Sequence, residues 1–336
     1  MAILRKIILL VMPMALTACY EDFYPTIDTE PVLCINSLIT AGEPVEVTVT
    51  RSWVYNSPTS WQDRRVDDAT VKVFVNGDLQ PDGYLASEGD EIHIVAESAK
   101  YGTAEASVTV PVAIPVEVVN ILPETVSTWR NPTIEMVGDV DFNLYVSLSI
   151  TDDPHSDNFF KLDFTGSTAE GQEGDGTDFW YPHHPYTSFR PGEIQYDAEP
   201  IFNEHIGVFE SIFGDSENMF MFFSDRQFAG KDYTLRLNFR NGYYSVNTAN
   251  YDPALYDCTI TFELATISRS YYDRLLYIWH RDSGALGDMG DFGFAEPICG
   301  YSNVSTGAGV VAARSMSTCT ISLGDYLESA FAGEGR

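Results

Sequence analysis

The feature that most constrains the fold is a two-residue period of apolar side chains that recurs along the chain. It is clearest at Phe142, Leu144, Val146, Leu148 and Ile150, which alternate with polar residues. Successive side chains of a β-strand point to opposite faces of a sheet, so this period indicates strands with one buried face. The chain is therefore predicted to be mainly β.

Residues 31–113 contain short alternating stretches separated by turn residues. Strands are predicted at Val45 to Val49, Val71 to Val75, Ile92 to Ile94 and Val108 to Val110. Asn76-Gly77 follows the second of these and is typical of a two-residue hairpin turn. Short strands at this spacing predict an N-terminal β-sandwich of immunoglobulin-like type, and the prolines at 111 and 115 suit a domain joint.

Residues 114–336 are predicted to form a second, larger antiparallel β domain. Besides the strand at 142–150, strands are expected at Phe160 to Phe164, Met219 to Phe223, Leu235 to Phe239, Cys258 to Leu264 and through Val310-Val311. Between Ser268 and Arg281 the period becomes helical, because Tyr271, Leu275 and Ile278 lie on one face. One helix is therefore predicted at about 268–281, with Ser268 as its cap.

The N-terminus has the parts of a secretory signal. A basic pair, Arg5 and Lys6, precedes an apolar run that is too short to span a bilayer as a helix. The stretch Leu16-Thr17-Ala18-Cys19 resembles the lipobox of bacterial lipoproteins, which implies removal of residues 1–18 and acylation of Cys19, with palmitate among the acyl groups. Residues 19–30 are then interpreted as the acylated cysteine and a tether. The alternative is an ordinary signal peptide with a chance cysteine.

The charge of the chain is strongly negative. It contains 49 Asp and Glu against 19 Lys and Arg, for a formal net charge of −30. Such a surface repels nucleic acid and anionic lipid headgroups, so no nucleic-acid partner is expected. A solvated acidic surface is the favoured interpretation, and binding of cationic ligands or calcium is the alternative.

Four cysteines remain after Cys19, namely Cys34, Cys258, Cys299 and Cys319. An exported protein can form disulfides, and four cysteines allow three pairings. Each lies in an apolar setting, so buried thiols explain them equally well. If a bridge exists, the Cys299–Cys319 pair is favoured.

The segment from Gly171 to Arg190 is predicted to be a loop, and it is rich in aromatic, histidine and acidic residues. Its aromatic residues are candidates for ligand binding, because exposed rings can stack on sugar or peptide: Trp180, Tyr181, Tyr186 and Phe189. The favoured alternative is that the loop packs these rings onto the second domain.

The same loop contains two adjacent histidines, His183 and His184, with Asp175 and Asp178 nearby. These are weak candidates for metal ligands, since neighbouring residues on a strand point in opposite directions and only a loop could bring both to one ion. Surface histidines are the simpler interpretation, and no metal or other cofactor is predicted.

No nucleophile elbow, zinc-protease helix, phosphate loop or dinucleotide fingerprint occurs in the sequence, so the protein is predicted to be non-enzymatic, without catalytic residues. Gly300 and the run Gly307-Ala308-Gly309 are interpreted as backbone requirements. Glycine permits a positive φ or a close approach between strands.

Four stretches carry a resemblance to a known family: Val45 to Trp53 after Leu38-Ile39, Val66 to Ala69, Phe222 to Tyr233, and Glu296 to Ser315. The chain resembles the bacterial lipoproteins of domain of unknown function 4249 over nearly its whole mature length. The resemblance implies an accessory outer-membrane lipoprotein of the kind often encoded beside TonB-dependent transporters. It implies no catalytic residues.

The functional prediction is a surface-exposed outer-membrane lipoprotein that acts as a non-enzymatic accessory or ligand-capture partner of a TonB-dependent barrel protein. The acidic pair Glu21-Asp22 beside the acylated cysteine resembles the export signal that sends some lipoproteins to the outer face of that membrane. The ligand is expected to be small, namely a peptide, a sugar or a chelate. The alternatives are a structural or adhesive surface protein and an unrecognised hydrolase.

Overall fold

The structure is a computed structural model that describes residues 30–53, 60, 64–133, 137–168, 186–195, 199–205, 218–247, 258–282 and 300–332. The predicted signal peptide and Cys19 lie outside these ranges, as does nearly all of the predicted tether. Within them the chain is mainly β, as the two-residue period predicts.

Fifteen strands and two α-helices occur in the described part of the chain. The strands are β1 Leu33–Thr40, β2 Thr48–Arg51, β3 Thr70–Val75, β4 Asp78–Gln80, β5 Glu91–Ser98, β6 Gly102–Thr109, β7 Val116–Arg130, β8 Val137–Thr151, β9 Phe159–Thr168, β10 Tyr186–Arg190, β11 Glu193–Ile194, β12 Phe222–Ser224, β13 Asp232–Asn247, β14 Cys258–Ile267 and β15 Ala308–Ser322. The helices are α1 Arg269–Asp282 and α2 Gly324–Ala332, and short 3-10 turns cover Pro200–Asn203 and Asp225–Gln227.

The strands form three sheets. A six-stranded sheet has the order β12-β9-β14-β15-β1-β2, a five-stranded sheet has the order β10-β13-β8-β7 with β11 beside β13, and a four-stranded sheet has the order β4-β3-β5-β6. Among the described strands β1 pairs with β15 in parallel, and all other pairs are antiparallel. Main-chain hydrogen bonds thus join β1, at the beginning of the 31–113 segment, to β15 near the C-terminus. The predicted domain boundaries and the predicted immunoglobulin-like sandwich stay predictions.

The hairpin between β3 and β4 is built as expected. Asn76 and Gly77 both have positive φ angles, 52° and 90°, which the tight turn requires at its two central positions. The strand predicted at Val45 to Val49 is correct only from Thr48 onward. The preceding residues leave β1, since the Val45 N–H donates to the Tyr84 carbonyl at 2.8 Å.

Three apolar clusters stabilise the layers. The largest lies between the five-stranded and six-stranded sheets and includes Phe142, Phe239 and Phe262. A second joins β1 and β15 to the four-stranded sheet, with Ile35 among its fully buried members. The third lies on the opposite face of the six-stranded sheet, where Trp279 of α1 is buried. The six-stranded sheet therefore has apolar partners on both faces.

Helix α1 begins within one residue of its predicted start. The Tyr271 N–H donates to Ser268 Oγ at 3.3 Å, so Ser268 caps the helix as expected. Helix α2 was not predicted. It has nine residues, too few for a stable isolated helix, and it depends on the burial of Leu327 in the core.

Cys34 and Cys258 are buried, and burial raises the pKa of the Cys34 thiol. Cys319 is a free thiol in this structure. The favoured pairing of Cys319 with Cys299, which lies outside the described residues, therefore gains no support.

Candidate functional site

Helix α1 lies across the outer face of the six-stranded sheet and forms one wall of a groove. Its inner face is apolar, because Tyr272, Leu275 and Trp279 are buried against the sheet. Tyr271 and Arg274 lie three residues apart and so share one flank of the helix. This flank faces the end of the sheet formed by β1 and β2.

The space between that flank and the sheet, here called the α1 groove, has a volume of about 400 Å³. Leu38, Val310 and Ala312 contribute apolar atoms to its lining. Polar residues complete the lining, namely Asn36, Ser37, Glu46, Thr48, Tyr271 and Arg274. The volume lies in the usual range of small-molecule sites, and the groove differs from most of them in that six of its nine lining residues are polar.

The groove exists because β1 and β2 separate. Their ladder ends at the Asn36–Thr48 pair. Beyond it, the segment before β2 pairs with another part of the chain, as the 3.0 Å bond from Ala86 N–H to the Glu43 carbonyl shows. Ser37 Oγ donates to the Glu46 carbonyl at 2.7 Å and holds the separated segment in place.

The separation leaves a short length of strand edge inside the groove. Ser52 N–H donates to the Val32 carbonyl on the β2 side, whereas Ala41 N–H donates to the Arg314 carbonyl on the β15 side. Main-chain groups of a strand alternate between its two neighbours, so those of Leu38 point to the β2 side. Because the ladder ends at Asn36, the N–H and C=O of Leu38 have no strand partner among the described residues.

The groove has one cationic and one anionic side chain in its lining. Arg274 is half-buried, and its guanidinium lies 5.2 Å from the centre of the Tyr277 ring. Within the described part of the chain it forms no ion pair. The Glu46 carboxylate is on an exposed residue of the other wall. Burial raises the pKa of Tyr271, so this phenol stays neutral and can donate a hydrogen bond.

A hydrogen-bonded network lies under α1 and holds it on the sheet. The Tyr272 hydroxyl donates to Glu204 Oε1 at 2.5 Å and lies 2.6 Å from His205 Nε2. Ser224 Oγ donates to Glu204 Oε2 at 2.8 Å, and the Ser224 N–H donates to Oε1 at 3.0 Å. The His205 ring stacks on Phe222 with centroids 5.4 Å apart.

This network is buried, since the side chains of Glu204 and His205 are only 8% and 15% exposed. Burial alone would raise the pKa of Glu204, but hydrogen bonds from His205, Tyr272 and Ser224 outweigh it and lower that pKa. Burial and the neighbouring carboxylate raise the pKa of Tyr272. Ser224 donates to the carboxylate and not to the imidazole, so the group lacks the serine–base contact of a nucleophilic triad.

The segment Phe222 to Tyr233, which carries part of the family resemblance, binds buried carboxylates at several points. Asp225 accepts the Asn158 N–H at 2.6 Å, and the Gly230 N–H donates to Asp152 Oδ2 at 2.7 Å. The Tyr233 hydroxyl donates to Glu199. These contacts join the segment to β8, to the start of β9 and to the 3-10 turn at 200–203, so its role in this structure is architectural.

The C-terminal run that also carries the resemblance joins the sheets. The Asn303 side chain bonds both main-chain groups of Val311, accepting its N–H at 2.9 Å and donating to its carbonyl at 2.8 Å. Thr306 Oγ1 donates to the Thr103 carbonyl at 2.7 Å. Gly309 has a φ of 115°, and a Cβ there would lie 1.9 Å from the Ile35 carbonyl oxygen. The backbone interpretation of this glycine is confirmed.

The candidate residues of the 171–190 loop are only partly described. Trp180, Tyr181, His183 and His184 lie outside the described residues. Tyr186 begins β10 and pairs with Asn247. Phe189 is half-buried, and its ring is parallel to that of Phe142 with centroids 6.3 Å apart, as the packing interpretation expects. Ligand binding by the loop stays a prediction.

The α1 groove is not predicted by the pattern of the sequence. Tyr271 and Arg274 are recognisable as neighbours on a helix, which is the one signal the sequence contains. Leu38 and Glu46 reach the same groove only through the strand order.

Among the described residues, no group of three His, Cys, Asp or Glu side chains is arranged to hold a metal ion. No helix in them combines the length and the apolar character that a membrane span requires.

A family model described as "Domain of unknown function (DUF4249)" matches residues 20–319. The comparison with curated proteins found no match, and neither did the comparison with solved structures. The matched range covers most of the chain, including every element that lines the α1 groove.

Proposed function

The chain belongs to the DUF4249 family, and from this membership together with the α1 groove we propose that it is a surface-exposed outer-membrane lipoprotein that captures a small ligand. In this proposal it acts as a non-enzymatic partner of a TonB-dependent transporter. The ligand is held in the α1 groove and passed to the barrel.

The observation that carries the proposal is the chemistry of the groove. It is open, its lining includes apolar atoms of Leu38, and charged groups lie at Arg274 and Glu46. Such a lining suits reversible binding of a small molecule with a polar end. The buried network around Glu204 bonds to the underside of α1, which supports a positioning role for those ionisable groups.

The lipobox at Cys19 supports the membrane part of the proposal. One acyl chain gives only marginal membrane binding, and a multiply acylated cysteine gives stable anchoring. Anchoring confines the protein to the plane of its partner, which raises the effective concentration of each beside the other. The excess of acidic over basic residues keeps the anchored protein away from anionic lipid headgroups and so leaves its surface open to solvent.

The proposal is tested by purifying the full-length lipidated protein from gently solubilised outer membranes and identifying what accompanies it. We expect a TonB-dependent barrel in stoichiometric amount. A Cys19→Ser variant is the control, because it cannot be acylated and is expected to be lost from the membrane fraction, so that no barrel should be recovered with it. Recovery of the acylated protein alone refutes the transporter partnership.

A further inference from the structure

We infer that the α1 groove binds a short peptide with free termini, whose main chain pairs with Leu38 and whose C-terminal carboxylate binds Arg274. The inference rests on the proposed ligand-capture function and names its ligand class. A peptide, a sugar and a chelate all remain compatible with the proposed function itself.

The strand edge at Leu38 is the first argument for a peptide. Its N–H and C=O point away from β15, into the space that β2 leaves when the ladder ends at Asn36–Thr48. An extended peptide offers a C=O and an N–H at the matching spacing, as in strand addition to a sheet edge. Sugar hydroxyls also donate and accept hydrogen bonds, but they lack the regular spacing of main-chain N–H and C=O groups in an extended peptide.

Arg274 is the second argument. Its guanidinium has five N–H donors in a planar fork that matches the two oxygens of a carboxylate. Within the described residues this fork has no carboxylate partner, although Asp273 and Asp282 pair with the other two arginines of the helix. The pKa of Asp282 is lowered by Arg281 and also by the nearby charge of Arg274. Because Arg281 donates the hydrogen bonds to that carboxylate, the N–H groups of Arg274 can bind an anionic ligand group.

Glu46 is the third argument, because it places a negative charge opposite the positive charge of Arg274. It lies on the separated segment opposite α1, so the two walls carry opposite charges. A zwitterionic peptide satisfies both, with its carboxylate at Arg274 and its ammonium group at Glu46. The contact between Ser37 Oγ and the Glu46 carbonyl holds this wall at its distance from β1.

Isothermal titration calorimetry on the full-length lipidated protein in detergent tests the inference, with trialanine as the probe. We expect trialanine with free termini to bind, and amidation of its C-terminus to weaken binding roughly tenfold or more, because a charge-assisted bidentate contact is lost. N-methylation of its central amide should also weaken binding, since the donor to the Leu38 carbonyl is removed.

Two variants, Arg274→Gln and Glu46→Gln, test which residue binds each end of the peptide. Arg274→Gln should weaken binding of free trialanine but leave the amidated form unchanged. Arg269→Gln is the matched control, because Arg269 lies on the same helix, is paired with Asp273, has a side chain that is 70% exposed and is not among the residues that line the groove. N-acetylation should weaken binding to the unmodified protein, and Glu46→Gln should remove that sensitivity.

Absence of binding at peptide concentrations up to roughly 10 mM overturns the inference, as does equal binding by the Arg274→Gln and Arg269→Gln variants. These failures are distinguishable from failure of the proposed function. Co-purification with a barrel but no trialanine binding refutes the peptide and leaves the partnership standing. Trialanine binding by a protein that purifies alone does the reverse.

Discussion

Gly309 allows a direct test of how β1 is joined to the end of the chain. Its φ of 115° is outside the range that other residues adopt readily, and a Cβ at this position would lie 1.9 Å from the oxygen and 2.8 Å from the carbon of the Ile35 carbonyl. Both atoms belong to the backbone of β1, so no side chain can rotate away to relieve the contact. We predict that Gly309→Ala forces β1 and β15 apart.

The size of the effect follows from two contributions. The unfavourable φ costs about 1 kcal/mol, as for any alanine placed in a glycine-type turn. Separation of the strands also disrupts the parallel ladder from Cys34–Ala308 to Thr40–Arg314 and the packing of Ile35 and Ile39 in the second core. Lost ladder bonds at about 1 kcal/mol each bring the total to roughly 4 kcal/mol or more.

Gly77→Ala is the matched control. Gly77 also has a positive φ, 90°, but a Cβ there meets nothing within 4 Å. The control therefore contains the cost of the backbone conformation and lacks the cost of the close approach. We expect it to lower the free energy of unfolding by only about 1 kcal/mol.

The assay is urea unfolding of the full-length protein and both variants, followed by far-ultraviolet circular dichroism. Gly309→Ala should unfold at a much lower urea concentration than Gly77→Ala, or fail to fold at all. If the free energies of unfolding of the two variants agree within about 0.5 kcal/mol, the close approach of β15 to Ile35 is not a determinant of the fold and the reasoning is refuted.

Three further predictions concern the described contacts. Tyr272→Phe removes a donor to the buried Glu204 carboxylate and should lower the free energy of unfolding by roughly 1.5–3 kcal/mol, measured in urea; a change below about 0.5 kcal/mol would contradict the network. Because the folded pKa of Glu204 lies below 4.5, the stability contributed by its ionised form is complete above that pH and is lost as the pH falls through the folded pKa. The stability difference between the wild type and Glu204→Gln should therefore shrink on acidification below about pH 4.5, and a pH-independent difference would contradict this. Phe189→Ala removes the ring packed on Phe142 and should cost about 2 kcal/mol in thermal unfolding, whereas an unchanged melting temperature would show that the ring is not part of the core.

Where the alternation of apolar residues is unbroken, the sequence was sufficient to predict strands. The period at Phe142 to Ile150 corresponds to β8, and the helical period after Ser268 corresponds to α1. Strand β7 was missed although it has fifteen residues. Its register shifts between Val118 and Asn120 and again between Thr125 and Ser127, and each irregularity reverses the inward and outward faces.

At the start of β2, the sequence pattern predicts strand residues that the structure does not contain. Val45, Val47 and Val49 alternate without a break, yet the strand begins at Thr48. Val45 donates its N–H to Tyr84 and not to β1. A local pattern specifies that a segment is extended, but the partner of an extended segment is decided by what else the fold brings beside it.

The sequence by itself therefore determined the mainly β class, the hairpin at Asn76-Gly77 and the helix after Ser268. These depend on residues close together in the chain, whose preferences act locally. Only the tertiary structure decided that β1 lies parallel to β15 and that its edge opens opposite α1. Leu38, Glu46 and Arg274 are far apart in sequence, so the groove that they share arises from the strand order and leaves no local pattern in the chain.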